Sequence, residues 1–110
     1  MVIYVDIDET ICDYGESREY PLARPIVENI RKINSMYDSG HTIVYWTARG
    51  TVTGIDWSEL TKEQLVQWGA KHHKCLLGKP DFDLYICDKA ISSETYFNNE
   101  PCRTIDDKAS

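Results

Sequence analysis

The chain has 110 residues, 42% of them hydrophobic and 27% charged, the profile of one soluble domain with a single core. A net charge of −6 excludes broad, non-specific nucleic-acid binding, which needs many Lys and Arg contacts. No apolar run approaches the roughly 20 residues of a membrane helix, and the chain enters an apolar strand at once with no leader-like segment, so a cytoplasmic protein with no membrane partner is expected.

Val2 to Val5 read as a buried strand, rich in β-branched and aromatic residues. Asp6 and Asp8 follow it. Side chains alternate along a strand, so the two carboxylates should point into one pocket where the apolar run stops. Held that close, they repel unless a cation or a shared proton relieves them. A hard divalent ion with oxygen ligands is the natural relief, and Mg²⁺ combines few protein carboxylates with phosphate oxygens. The pair therefore points to phosphate chemistry.

Residues 11–24 lack clean periodicity and carry Gly15 and Pro21, which reads as a loop or flap. Pro25 suits the first turn of a helix running to about Asp38, with Ile26, Ile30, Ile33 and Tyr37 on one face and Gly40 as its stop. His41 to Trp46 form the second strand, and 49–57 a loop. Ser58 caps a helix from Glu59 to about Lys71, with Leu60, Leu65, Val66 and Trp68 facing inward. Cys75 to Leu77 read as a third strand ending at Gly78-Lys79-Pro80, and Leu84 to Cys87 as a fourth ending at Asp88. A helical turn is expected near Ser93 to Asn98, then a polar tail whose last residues, 106–110, are loose.

Strands alternating with helices specify a parallel sheet covered by helices, a three-layer, Rossmann-like α/β domain over residues 1–110. Ligands of such sheets bind beyond the carboxyl ends of the strands. Asp6 and Asp8, Thr47, Lys79 and Asp88 fall at four successive strand ends.

The three histidines carry less information. His72 and His73 close a helix, where a cation suits the dipole, and His41 opens a strand. Trp57 reads as a packing aromatic. The four cysteines, Cys12, Cys75, Cys87 and Cys102, show no zinc-ligand spacing and are expected to be free, mostly buried thiols.

Taken together, Asp6-Ile7-Asp8-Glu9-Thr10, Tyr45-Trp46-Thr47-Ala48-Arg49, Gly78-Lys79-Pro80 and Leu84-Tyr85-Ile86-Cys87-Asp88 resemble, in order, the four motifs of the haloacid dehalogenase superfamily. The likeness runs from Val2 to Ala90. Most members are Mg²⁺-dependent phosphatases that work through an aspartyl-phosphate. The resemblance implies Asp6 as nucleophile, Asp8 as general acid and base, and Lys79 as the group that balances charge on the phosphoryl. It implies Thr47, Ala48 and Arg49 at the substrate phosphate. Asp6, the backbone carbonyl of Asp8, and Asp88 would hold Mg²⁺.

Two positions depart from that pattern. Glu9 stands where the first motif usually has Gly, and Cys87 precedes a single Asp88 where paired acids are common. Asp83, at the start of an extended segment rising about 3.3 Å per residue, lies too far back to substitute. The loops at 11–24 and 49–57 are too short for a cap domain, so the resemblance implies an open site, or one covered in a homo-oligomer. The Thr-Ala-Arg of the second motif is similar to that of small capless phosphatases acting on surface-polysaccharide sugar phosphates. The expected function is a phosphomonoesterase acting on a sugar phosphate or similar phosphorylated metabolite. The alternatives are a degenerate member that binds phosphate or a partner and, less well matched, a phospho-accepting receiver. The receiver needs an Asp where the second strand ends in Thr47.

Overall fold

A computed structural model describes residues 1–16 and 19–98. In chain order the elements are β1 (Val2–Val5), β2 (Cys12–Asp13), a 3-10 turn (Tyr20–Leu22), β3 (Arg24–Pro25), α1 (Val27–Asp38), β4 (Thr42–Trp46), α2 (Ser58–Gln67), β5 (Lys74–Leu76) and α3 (Ser93–Asn98). The order β1-β4-β5 makes a parallel three-stranded sheet, with Val5 level with Tyr45 and Tyr45 level with Cys75. This register brings the ends of all three strands to one edge. The polar residues that follow β1, β4 and β5 are thereby gathered there.

Ile7, Ile11, Cys12, Ile43, Tyr45 and Leu65 are fully buried and join Val5, Ile30, Ile33 and Ala70 in one core. Each such aliphatic side chain contributes roughly 1.5–3 kcal/mol by leaving water. The expected face of α1 is confirmed at Ile30 and Ile33, and Tyr37 stacks on His73 with centroids 4.7 Å apart. His73 itself extends the sheet: its N–H donates to the Ile43 carbonyl and its Nδ1 accepts from the Ile43 N–H. α3 closes over the core, where Tyr96 and Phe97 pack and Lys32 donates to the Phe97 carbonyl.

Several boundaries differ from those expected. Pro25 does not open α1. It pairs with Cys12 in a short antiparallel ladder, and Ile26 donates to the Ile11 carbonyl, so the helix starts only at Val27. A helix over 59–71 is cut short at Gln67, because the chain enters a left-handed turn at Gly69. Ser58 is the first helical residue rather than the cap, and Asp56 accepts from both its N–H and its hydroxyl.

Val66 points outward, 76% exposed, while the polar Thr61 and Gln64 face in. The third strand lies one residue earlier than expected.

The largest difference is at Leu84–Cys87, which forms no strand. Leu84 and Ile86 are 75% and 86% exposed. Composition favours an extended segment there, but a strand exists only through a ladder partner. Among the described residues, β1 pairs with β4 alone. Also among the described residues, no helix is long and apolar enough to cross a membrane. Cys12, Cys75 and Cys87 are free, Cys12 buried and the other two half-buried; Cys102 and the tail at 106–110 lie outside the described residues.

Candidate functional site

The site begins in the turn that follows β1. Ile7 accepts through its carbonyl from the N–H groups of Thr10 and Ile11, and Glu9 donates to the Cys12 carbonyl, which folds 7–12 back under the sheet edge. That turn needs a left-handed residue, and Glu9 supplies it at φ 62°. A Gly would adopt this conformation without steric cost. Glu9 thus adopts a backbone geometry that favours Gly.

Thr47 joins the other two strand ends. Its N–H donates to the Leu76 carbonyl, and its own carbonyl accepts from the Lys79 N–H at 3.1 Å. Lys79 is therefore delivered by the backbone to the place where β1 and β4 finish. Its Nζ lies 3.6 Å from Asp6 Oδ1. The same Oδ1 accepts from the Ile7 N–H at 2.9 Å. Both contacts of Asp6 among the described residues fall on one oxygen, which leaves Oδ2 for other chemistry. Burial pushes the Asp6 carboxyl above its ordinary value; Lys79 and the Ile7 N–H pull it down, Asp8 pushes it up, and the net direction is upward.

Asp8 has its own cation. Arg49 Nε donates to Asp8 Oδ2 at 3.1 Å and Nη2 to Oδ1 at 2.8 Å, a fork on a fork. The remaining nitrogen, Nη1, donates to Thr61 Oγ1 at 3.1 Å and Gln64 Oε1 at 2.6 Å. The Tyr20 ring covers the guanidinium with its centroid 4.8 Å away. Only 2% of Arg49 is exposed. Burial alone would lower the affinity of this guanidinium for its proton, but Asp8 more than offsets that. A buried cation requires oxygen acceptors, and this is why α2 turns Thr61 and Gln64 inward at the expense of Val66.

The 11–24 segment completes the enclosure. The Tyr14 hydroxyl donates to Asp8 Oδ1, and Cys12 Sγ lies 3.5 Å from the same atom. Burial, then the Asp8 charge, pushes the Cys12 thiol up to about 12, and burial, then the hydrogen bond to Asp8, pushes Tyr14 up, so both remain proton-bearing donors. Gln64 donates to the Tyr20 carbonyl, and Tyr20 meets Trp57 edge-on. Trp57 therefore packs, as expected. Gly50 makes the turn after Arg49 at φ 80°, where a Cβ would lie 2.0 Å from the Ile55 carbonyl oxygen.

The structure therefore brings together Asp6, Asp8, Thr47, Ala48, Arg49 and Lys79, but not in all the roles expected of them. Two carboxylates that should repel are each relieved by a protein cation, Lys79 for Asp6 and Arg49 for Asp8. Arg49 is enclosed by protein on every side and is not placed to meet a substrate. Thr47 is buried, and its hydroxyl accepts from the Arg49 N–H at 3.1 Å. The Ala48 N–H has no protein acceptor among the described residues and is a donor a phosphoryl oxygen could use. Asp88 is exposed, in the turn after the segment that failed to become a strand. Among the described residues, no three His, Cys, Asp or Glu side chains are grouped to hold a metal. The set expected for Mg²⁺, the carboxylates of Asp6 and Asp88 with the Asp8 carbonyl, needs only two such side chains, and the oxygen of Asp6 left free by Ile7 and Lys79 suits it.

Tyr14, Thr61 and Gln64 were not anticipated. Tyr14 sits in a segment without periodicity, which hides it. The polar pair at 61 and 64 has helical spacing that marks one face, but nothing local says this face is interior.

No protein-family model and no curated protein matches the chain. A crystal structure of a protein from Vibrio cholerae is similar to it, with a TM-score of 0.79, 22% sequence identity, and coverage of 91% of this chain and 89% of that one. At that identity the likeness concerns the fold. The chain is a small α/β protein built on a parallel sheet.

Proposed function

We propose that this chain is a phosphomonoesterase of the haloacid dehalogenase type, acting through an aspartyl-phosphate on a phosphorylated small molecule. The observation that carries the reading is the Lys79 ammonium 3.6 Å from Asp6 Oδ1, at the carboxyl ends of parallel strands. Asp6 Oδ2 attacks phosphorus as the ester P–O bond breaks. Lys79 and the Ala48 N–H balance charge on the phosphoryl oxygens, which is the dominant contribution in such transfers. Asp8 passes a proton to the departing alkoxide. It then takes one from the water that releases inorganic phosphate and regenerates Asp6. Arg49 and Tyr14 hold Asp8 in place for both steps. Mg²⁺ is part of the proposal: Asp6, the Asp8 carbonyl and Asp88 would hold it, and it would neutralise charge on the phosphate oxygens.

A second reading has its own support. The bidentate Arg49 lock on Asp8 suits a phosphate- or partner-binding module without turnover. One assay separates the two. Hydrolysis of an aryl phosphate is followed with and without Mg²⁺, in the native chain and in Asp6→Asn. Turnover lost in Asp6→Asn supports the enzyme. Phosphate binding without turnover in the native chain supports the binding module, and turnover that survives in Asp6→Asn would remove Asp6 as the nucleophile.

A further inference from the structure

Lys79 stands between two aromatic faces. Its Nζ lies 5.5 Å from the centroid of Trp46 and 5.6 Å from that of Phe82. Trp46 is fixed at the end of β4 and meets Tyr4 edge-on at 5.7 Å. Phe82 is held less closely. It is 43% exposed, and Tyr85, 56% exposed, lies tilted against it with centroids 5.4 Å apart and planes 33° from parallel. Neither ring belongs to the core cluster.

Two large aromatic rings open to solvent, beside the ammonium that faces the candidate nucleophile, are a binding surface. We propose that Phe82 and Tyr85 form a shelf for the ring of a phosphorylated cyclic alcohol, a sugar phosphate or nucleoside monophosphate, whose phosphate meets Lys79. This deepens the phosphomonoesterase reading and rests on it. The Phe82 centroid is as close to the ammonium as that of Trp46, so a ring carried one ester bond from a phosphate at Lys79 is within reach of the shelf. Aromatic faces stack on planar bases and on the apolar faces of other rings, and an acyclic alcohol offers no such face. A single phosphate also suits an acidic protein better than a polyanion does.

The test is a fluorescence titration, with Trp46 beside Lys79 as a natural reporter. Inorganic phosphate, glycerol 3-phosphate, glucose 6-phosphate and adenosine monophosphate are added to the native chain, to Phe82→Ala and to Phe82→Tyr. At least one ring-bearing ligand should bind the native chain about tenfold tighter than glycerol 3-phosphate. That advantage should vanish in Phe82→Ala and persist in Phe82→Tyr, with inorganic phosphate bound equally by all three. The preferred ring distinguishes a sugar face from a base. An unchanged preference in Phe82→Ala overturns the shelf and leaves the phosphatase reading standing. Failure of the native chain to bind inorganic phosphate overturns both.

Discussion

Arg49 and Asp8, 41 positions apart in the chain, form a two-pronged ion pair in which the guanidinium is enclosed and the carboxylate reaches the site edge. The pair ties three segments together: the turn after β1, the loop after β4, and α2 through Thr61 and Gln64. Removing one partner of such a pair leaves an uncompensated charge in a poorly solvated place, which costs more than the pair itself contributes. Arg49→Met should therefore lower stability by about 3 kcal/mol in urea unfolding, and Arg49→Lys should recover only part of it, because an ammonium cannot serve Asp8, Thr61 and Gln64 at once. If Arg49→Met changes stability by less than about 0.5 kcal/mol, the network is not structural.

Asp6 links function to pH. In the folded chain its carboxyl holds its proton more tightly than in the unfolded chain, because burial outweighs Lys79. Its contribution to stability is intact below the unfolded value and is lost as pH rises through the folded value. Asp6→Asn removes that loss. The variant should melt higher than the native chain at neutral pH, with the gap narrowing as pH falls toward the ordinary aspartate value of 3.8, while hydrolysis is abolished. For the native chain, the acid limb of the rate profile should lie above 3.8, since only the ionised carboxylate attacks. A lower melting temperature for Asp6→Asn at neutral pH would mean that the pair with Lys79 outweighs burial.

Glu9 occupies a left-handed conformation that costs an L-residue about 1–2 kcal/mol. Glu9→Gly relieves that cost but gives the unfolded chain more freedom, so a net gain of about 0.5–1 kcal/mol is expected in thermal unfolding. A loss would show that the Glu9 side chain makes a compensating contact.

Tyr45 is fully buried in β4, the middle strand of the sheet, and its hydroxyl has no hydrogen-bond partner among the described residues. Burial raises the value at which that hydroxyl would ionise, so it stays neutral. An unpaired buried hydroxyl is a cost, and its removal leaves a ring of the same shape. Tyr45→Phe should be neutral or stabilising, by up to about 1 kcal/mol. A loss larger than that would reveal a bound water.

Local pattern was enough to locate β1, β4, the apolar face of α1 and the turn of helix at Ser93–Asn98, because each is set by side-chain periodicity and by what that periodicity buries. It also placed Asp6 and Lys79 at strand ends on one edge of the sheet, since parallel strands in register share an edge. The destination of Arg49 could not be read that way. Its acceptors come from residues spread across the turn after β1, the 11–24 segment and α2, and only packing reveals that a loop cation has been drawn inside. Leu84–Cys87 shows the converse: an apolar run with strand composition stays irregular, because a strand is a relation between two backbones and no single segment contains its partner.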